Sequence, residues 1–248
     1  NTVLADQANV STRTIGRWIA GHTNPPLGIV IQLMGTLTAR DPALATATVA
    51  RRENASLVIC GLGRHRVVDR LFGDETALAI IRVAEHPVFA VPDDFAHRPR
   101  CAVVGVDFSE DSLRAIELVT RFTTSTATIY LVNVAPHENV LHFVTGGFRA
   151  YEEHARAQLT LAIERLDAPP DVHFQPVVRQ GDPGSELLRY AAELGDGMIA
   201  VGTRGLGFVA RLLLGSVATK VIRASPVPVL TVPRRTEAED PYPAPTGR

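Results

Sequence analysis

Between residues 41 and 233, short apolar runs alternate with segments of helical period, and this alternation is the strongest constraint on the fold. Residues 55–60, 101–106, 128–134, 172–178, 198–201 and 227–233 are brief and rich in Val, Ile and Leu, as buried strands are. Residues 42–53, 69–82, 110–122, 151–166 and 186–194 carry apolar positions at helical spacing instead. Pro42 suits the first turn of its helix. Ser109 is placed to cap the next complete one, with Glu110 and Asp111 at the positive end of its dipole. Ser185 is read as the cap of 186–194. Strand and helix in regular succession predict βα units and a parallel sheet.

A second constraint is an internal repeat. Residues 55–92 lie over 196–233, with Gly61 on Gly202, Arg70 on Arg211, Pro87-Val88 on Pro228-Val229 and Val91-Pro92 on Val232-Pro233. The chain reads as two tandem α/β units, the first keeping only its second half and lacking an opening strand. The copies differ where ligand chemistry would fall. Arg64 stands where the second copy has Gly205, and Asp74-Glu75 replace Ser216-Val217. A carboxylate at that helix mouth repels an anion, so the first unit is expected to be a structural partner. The organisation expected is a helical segment over 1–38, a partial unit over 39–92, a linker over 93–100, a complete unit over 101–235 and a disordered tail over 236–248.

Composition narrows the function. With a formal net charge of −1 over 248 residues, no global basic field argues for nucleic acid. No apolar run reaches the roughly 18 residues of a membrane span. Cys60 and Cys101 form no disulfide framework, and both read as reduced residues of a cytoplasmic protein. His137, His142, His154 and His173 lack metal-ligand spacing, so no metal site is expected from them. No nucleophile–base pair or paired carboxylates stand in a context for catalysis, and the chain is not expected to be an enzyme.

The most informative stretch is 202–219, GTRGLGFVARLLLGSVAT, between a strand and a helix. Glycines there let backbone N–H groups approach an anion, and the helix N-terminus adds unsatisfied donors. Glycine, two residues, glycine, nine residues, then glycine and Ser is met by Gly202, Gly205, Gly215 and Ser216. That spacing resembles the hallmark of the universal stress protein family. The resemblance extends over residues 99–235, through the Asp107-Phe108-Ser109 turn and the terminal PVLTVP, with a degenerate half-copy over about 41–92. It implies an open parallel five-stranded sheet with helices on both faces, of the adenine-nucleotide alpha hydrolase-like kind. It also implies ATP or AMP as ligand, with Mg as an accompanying ion at most, in the second unit. By the resemblance Asp107 meets the adenosine, Val134 the adenine, and Val201 and Gly202 the base and ribose side. By the resemblance Gly205, Gly215, Ser216 and Val217 supply the phosphate cradle, Ala218 stands where the family often has a second hydroxyl, and the cations of Arg204 and Lys220 are in reach. Family members commonly dimerise through the last strand. Here residues 86–92 and 227–233 are expected to pair within one chain, with a homodimer as a further step.

Residues 1–38 have two readings. One is an ordinary amphipathic helix over Ile15, Trp18 and Ile19, capped by Ser11, before a strand over 28–33. The other rests on Val10-Ser11, Thr14-Ile15 and Arg17-Trp18, which resemble the helix-turn-helix of the Cro/repressor-like family. It would turn Thr12, Arg13 and Arg17 toward DNA. Three functions follow: a nucleotide-binding stress or signalling module, a slow ATPase, and a nucleotide-sensing transcriptional regulator. A scaffold that binds no nucleotide is the fourth.

Overall fold

A computed structural model describes residues 29–31, 41–53, 55–62, 73–92, 95, 97–135, 147–205 and 214–234. The readings of residues 1–28 and of the tail beyond 234 lie outside the described residues; of a loop expected over 139–149, residues 139–146 do as well, and 147–149 are the first turn of a helix. Strand β1 (Ile29–Ile31) comes first, then helix α1 (Pro42–Arg52), β2 (Leu57–Gly61), α2 (Gly73–Val83) and β3 (Val88–Val91). The rest of the chain gives β4 (Cys101–Gly105), α3 (Glu110–Val119), β5 (Thr128–Ala135), α4 (Gly147–Glu164) and β6 (His173–Gln180). It closes with α5 (Pro183–Leu194), β7 (Gly197–Gly202), α6 (Ser216–Ala224) and β8 (Val229–Val232).

All eight strands form one sheet in the order β1-β2-β3-β8-β7-β4-β5-β6. The five strands from β8 to β6 are parallel throughout, which is the expected open sheet. The sheet is larger than five strands because β3 pairs antiparallel with β8, Phe89 opposite Leu230. The expected pairing of the two terminal strands is therefore present, and β8 offers no free edge.

One expectation changes. The partial unit was read as lacking an opening strand, yet Ile29–Ile31 pairs parallel with Leu57–Ile59. It takes the place beside β2 that β4 takes beside β7. The apolar run at 28–33 was legible as a strand; its partner was not, because a pairing is not written in the run itself.

Alternation along each strand sends side chains to two cores. Val58, Val88, Val103, Ile199 and Val229 face the side covered by α1, α2, α5 and α6. Leu57, Phe89, Val104, Met198 and Leu230 face the side covered by α3 and α4. Helices thus lie on both faces, and each core runs across the β3–β8 junction. Phe89 packs against Phe122 at 4.9 Å between ring centroids, joining residues from the two halves.

Local chemistry fixes the helix starts. Asp41 caps α1 by accepting from the Ala43 and Leu44 amides at 3.0 and 3.1 Å, with Pro42 following. Asp182 caps α5 in the same way, accepting from Ser185 N at 2.9 Å. The cap was expected at Ser185. It lies three residues earlier because Pro183 has its backbone angle preset and no N–H to satisfy. Ser109 caps α3 as expected, accepting from Ser112 N.

Candidate functional site

The sheet's order reverses at β4: the chain runs outward through β5 and β6, then returns to β7 and β8 on the other side. Open α/β sheets bind ligands at such a switch point, outside the carboxyl ends of the strands. A cavity of about 390 Å³ lies there, within the range of small-molecule sites. Its walls come from the ends of β4, β5 and β7, from the first turns of α3, α5 and α6, and from α4.

Every residue of the candidate site lines this cavity. Asp107 follows β4, Val134 ends β5, and Val201 and Gly202 end β7. Arg204 and Gly205 follow β7. Gly215, Ser216, Val217 and Ala218 contribute the start of α6. Lys220 is not among the lining residues: its ammonium is bonded to the Asp182 carboxylate that caps α5. The ion pair, with bonds from Ser185, holds Asp182 down at about 2.

The start of α6 is built to receive an acceptor. Its cap is Gly215, which has no side chain to bond the first-turn amides, and no side-chain cap bond is made. Intrahelical bonding begins with Thr219 N to Gly215 O at 3.0 Å, which leaves the amides before it directed outward. Most helices fill that vacancy with Ser, Thr, Asp or Asn.

The glycines are explained first by their protein neighbours. A Cβ on Gly205 would stand 2.6 Å from Asp107 Oδ2. One on Gly202 would stand 2.7 Å from Asp111 Cβ and 3.0 Å from Ser112 N. One on Gly215 would stand 3.2 Å from Thr203 O. The spacing therefore lets the segment after β7 lie against α3 and α6. Bringing Asp107, Gly205 and the α6 amides around one cavity is the result.

Two anchors hold this segment. Asp111 Oδ2 accepts from Thr203 Oγ1 and from Arg204 N, both at 3.2 Å. Ser109 Oγ donates to Arg204 O at 3.4 Å and to Asp107 Oδ1. Burial pushes the Asp111 carboxyl above its ordinary value, and the bonds from Thr203 and Arg204 oppose that. Asp111 had been read as a dipole-complementing acid at the helix start; it is buried and tied to residues some ninety positions away.

Three further lining residues were not among the site candidates read from the sequence: Phe108, seen there only as part of a turn, and Asn133 and Tyr151, which carried no signal. Phe108 has a positive φ of 64°, a conformation rare for a bulky residue, at the turn between Asp107 and Ser109. Asn133 is buried in β5; its Nδ2 donates to Val106 O at 2.8 Å. Tyr151, in the first turns of α4, donates its hydroxyl to Asn133 Oδ1 at 2.8 Å. Burial raises the Tyr151 phenol.

Cys60 and Cys101 are free thiols. Burial pushes Cys60 up to about 12 and also raises Cys101. Among the described residues, no three His, Cys, Asp or Glu side chains are grouped to hold a metal ion. Among them too, no helix is long and apolar enough to cross a membrane.

Fold and cavity together define an open-sheet α/β protein with a cavity at its switch point. Residues 100–233 match the universal stress protein family, and the chain belongs to that family. It is 38% identical to Universal stress protein YxiE of Bacillus subtilis over 65 residues, which are 26% of this chain and 44% of that one. A universal stress protein of Mycolicibacterium smegmatis is 26% identical over 212 residues, covering 78% of this chain and 67% of its own length. Among solved structures, a universal stress protein from Archaeoglobus fulgidus superposes with a TM-score of 0.53 at 23% identity. That superposition covers 80% of this chain and 67% of the other, and it is a likeness of fold. The chain thus spans less than half of the first of these relatives.

Proposed function

We propose that this chain binds an adenine nucleotide, ATP or AMP, in the cavity at the carboxyl ends of β4, β5 and β7. It would act there as a stress-response or signalling module, not as an enzyme. The observation that carries the reading is the uncapped start of α6 beside Asp107. Outward-directed amides at a helix N-terminus, with no cap side chain bonded to them among the described residues, favour a phosphate. The cavity also has an apolar wall, with Val132, Val134 and Leu187 in its lining. An anion joined to a flat, weakly polar group suits both. ATP would contribute triphosphate charge to the α6 amides and to Arg204; Mg, if it accompanies ATP, would arrive with the nucleotide.

The tandem reading belongs to the same proposal. The β1–β3 side would be a descendant of the second unit, serving as an internal partner through the β3–β8 pairing. Cytoplasmic residence is part of it as well, on the reduced state expected of Cys60 and Cys101.

Titration calorimetry of ATP and AMP against the native chain and Gly205→Ala tests the reading. The native chain should release heat of binding. Gly205→Ala should lose roughly ten-fold or more, because its methyl would displace the Asp107 carboxylate. No heat with the native chain retires the proposal. Phosphate release from ATP should stay at the buffer background; sustained release above it would favour the ATPase reading.

A further inference from the structure

The cavity wall contains an aromatic ring whose polar group is already engaged. Tyr151 lines the cavity half-buried, and its hydroxyl is donated to Asn133 Oδ1 at 2.8 Å. Asn133 is itself held, since its amide donates to Val106 O at 2.8 Å. Val106 is the residue before Asp107, at the end of β4, and its own N–H is bonded to Val132 O. The chain of bonds from Tyr151 through Asn133 to Val106 therefore ties α4 to the sheet edge at the cavity. With its hydroxyl fixed, Tyr151 has its ring left to offer a ligand; Val132 and Val134 line the same cavity.

We propose that Tyr151 is a ligand-contacting wall for the flat base of a nucleotide, and that Asn133 is the positioning residue that sets its ring. The inference rests on the nucleotide reading and adds a specificity to it. Every base has a π-face, so a ring wall rewards the presence of a base and not its identity. Here the site should distinguish a nucleotide from inorganic polyphosphate.

The test is calorimetry with ATP, GTP and inorganic tripolyphosphate on the native chain, Tyr151→Ala, Tyr151→Phe, Asn133→Ala and Ser216→Glu, with thermal melts on each. Tyr151→Ala should weaken ATP and GTP alike by roughly five- to a hundred-fold, the range for loss of a base–aromatic contact. Its affinity for tripolyphosphate should stay within about two-fold of native. Tyr151→Phe keeps the ring and should lose a few-fold only; Asn133→Ala should fall between the two. Ser216→Glu sets a carboxylate at the start of α6 and should weaken all three ligands. Should Tyr151→Ala bind ATP as the native chain does while Ser216→Glu does not, the wall assignment is wrong and the nucleotide reading stands. Equal loss of tripolyphosphate in Tyr151→Ala, or a loss in Tyr151→Phe as large as in Tyr151→Ala, also overturns it. A native chain that binds none of the three ligands removes both readings.

Discussion

The strand-turn at the end of β2 and the one at the end of β7 begin from the same residue pattern and reach different ends. Gly61 and Gly202 close their strands at matching positions of the repeat. Among the described residues, a Cβ on Gly61 would meet nothing within 4 Å, whereas one on Gly202 would run into Asp111 and Ser112 at the start of α3. The helices that follow differ as well. The first turn of α2 carries Asp74 and Glu75, while α6 opens with Gly215 and no carboxylate. Elsewhere the halves agree, down to an Asp-Pro cap at the start of both α1 and α5. A glycine kept where nothing crowds it is inheritance; a glycine pressed against α3 is a working requirement of the cavity. The comparison separates the scaffold from the site.

The largest test of that separation is Gly202→Ala against Gly61→Ala. Both glycines lie in strands with ordinary backbone angles, so an added methyl changes packing and not backbone strain. At Gly202 the methyl overlaps α3, including the Ser112 backbone nitrogen, and overpacking of this kind destabilises by about 1–3 kcal/mol. At Gly61 it meets none of the described residues and should be neutral or stabilise by up to about 1 kcal/mol through the unfolded chain. Urea unfolding of the two variants measures the difference. Equal destabilisation would mean that Gly61 is constrained as Gly202 is, and the contrast would be lost.

How much of this was legible in the sequence follows from range. Gly202, Gly205, Gly215 and Ser216 declare themselves by spacing along one stretch, and Asp107 by its place at a strand end. The partnership of β3 with β8 was readable only through the resemblance, whose members commonly dimerise through the last strand, once the repeat had set one such strand in each half. Asn133 was hidden because it sits inside an otherwise apolar strand, and Tyr151 because it opens an ordinary-looking amphipathic helix. Only the packing of α4 on β5 brings them together. Lys220 shows the reverse failure: a cation near the phosphate cradle in sequence is bonded to a helix cap in space. Local patterns report elements, but a pairing across eighteen or thirty-eight residues depends on how helices cross the sheet.

A smaller effect separates the α5–α6 seam from the cavity. The Lys220 stem lies over Gly184, where a Cβ would meet Lys220 Cδ at 2.8 Å, and its ammonium holds the Asp182 cap. Lys220→Met keeps the stem and removes the charge. Asp182 titrates at about 2 in the folded chain, below the ordinary value of about 3.9. Its contribution is therefore fully present above pH ~4 and is lost as pH falls through about 2. The pair is solvent-exposed, so the variant should lose no more than about 1 kcal/mol at neutral pH. Its unfolding midpoint should converge with that of the native chain in acid. Calorimetric affinity for ATP should remain close to native, since Lys220 does not line the cavity; a ten-fold loss would return it to the site.

The smallest and most discriminating change is Asp111→Asn, because its expected sign is opposite to that of a lost ion pair. Asp111 is buried, and the desolvation of its carboxylate raises its pKa in the folded chain. The folded state then binds the proton more readily than the unfolded one, so stability falls as pH rises from the unfolded value through the folded one. Above that window the penalty is fully present. Both groups that face Asp111 Oδ2, the Thr203 hydroxyl and the Arg204 amide, are donors. An Asn carbonyl can accept from them as the carboxylate does, without the buried charge. Asp111→Asn should therefore match the native chain or be slightly more stable at pH 7. The advantage should vanish toward pH 4. Asp111→Ala, which strands both donors, should instead destabilise by about 1–3 kcal/mol. Urea unfolding of the three proteins across pH 4–8 reads both signs. If Asp111→Asn loses as much as Asp111→Ala, the charge itself holds the segment after β7. The contrast with β2 would then rest on an ion at the start of α3 instead of on close packing.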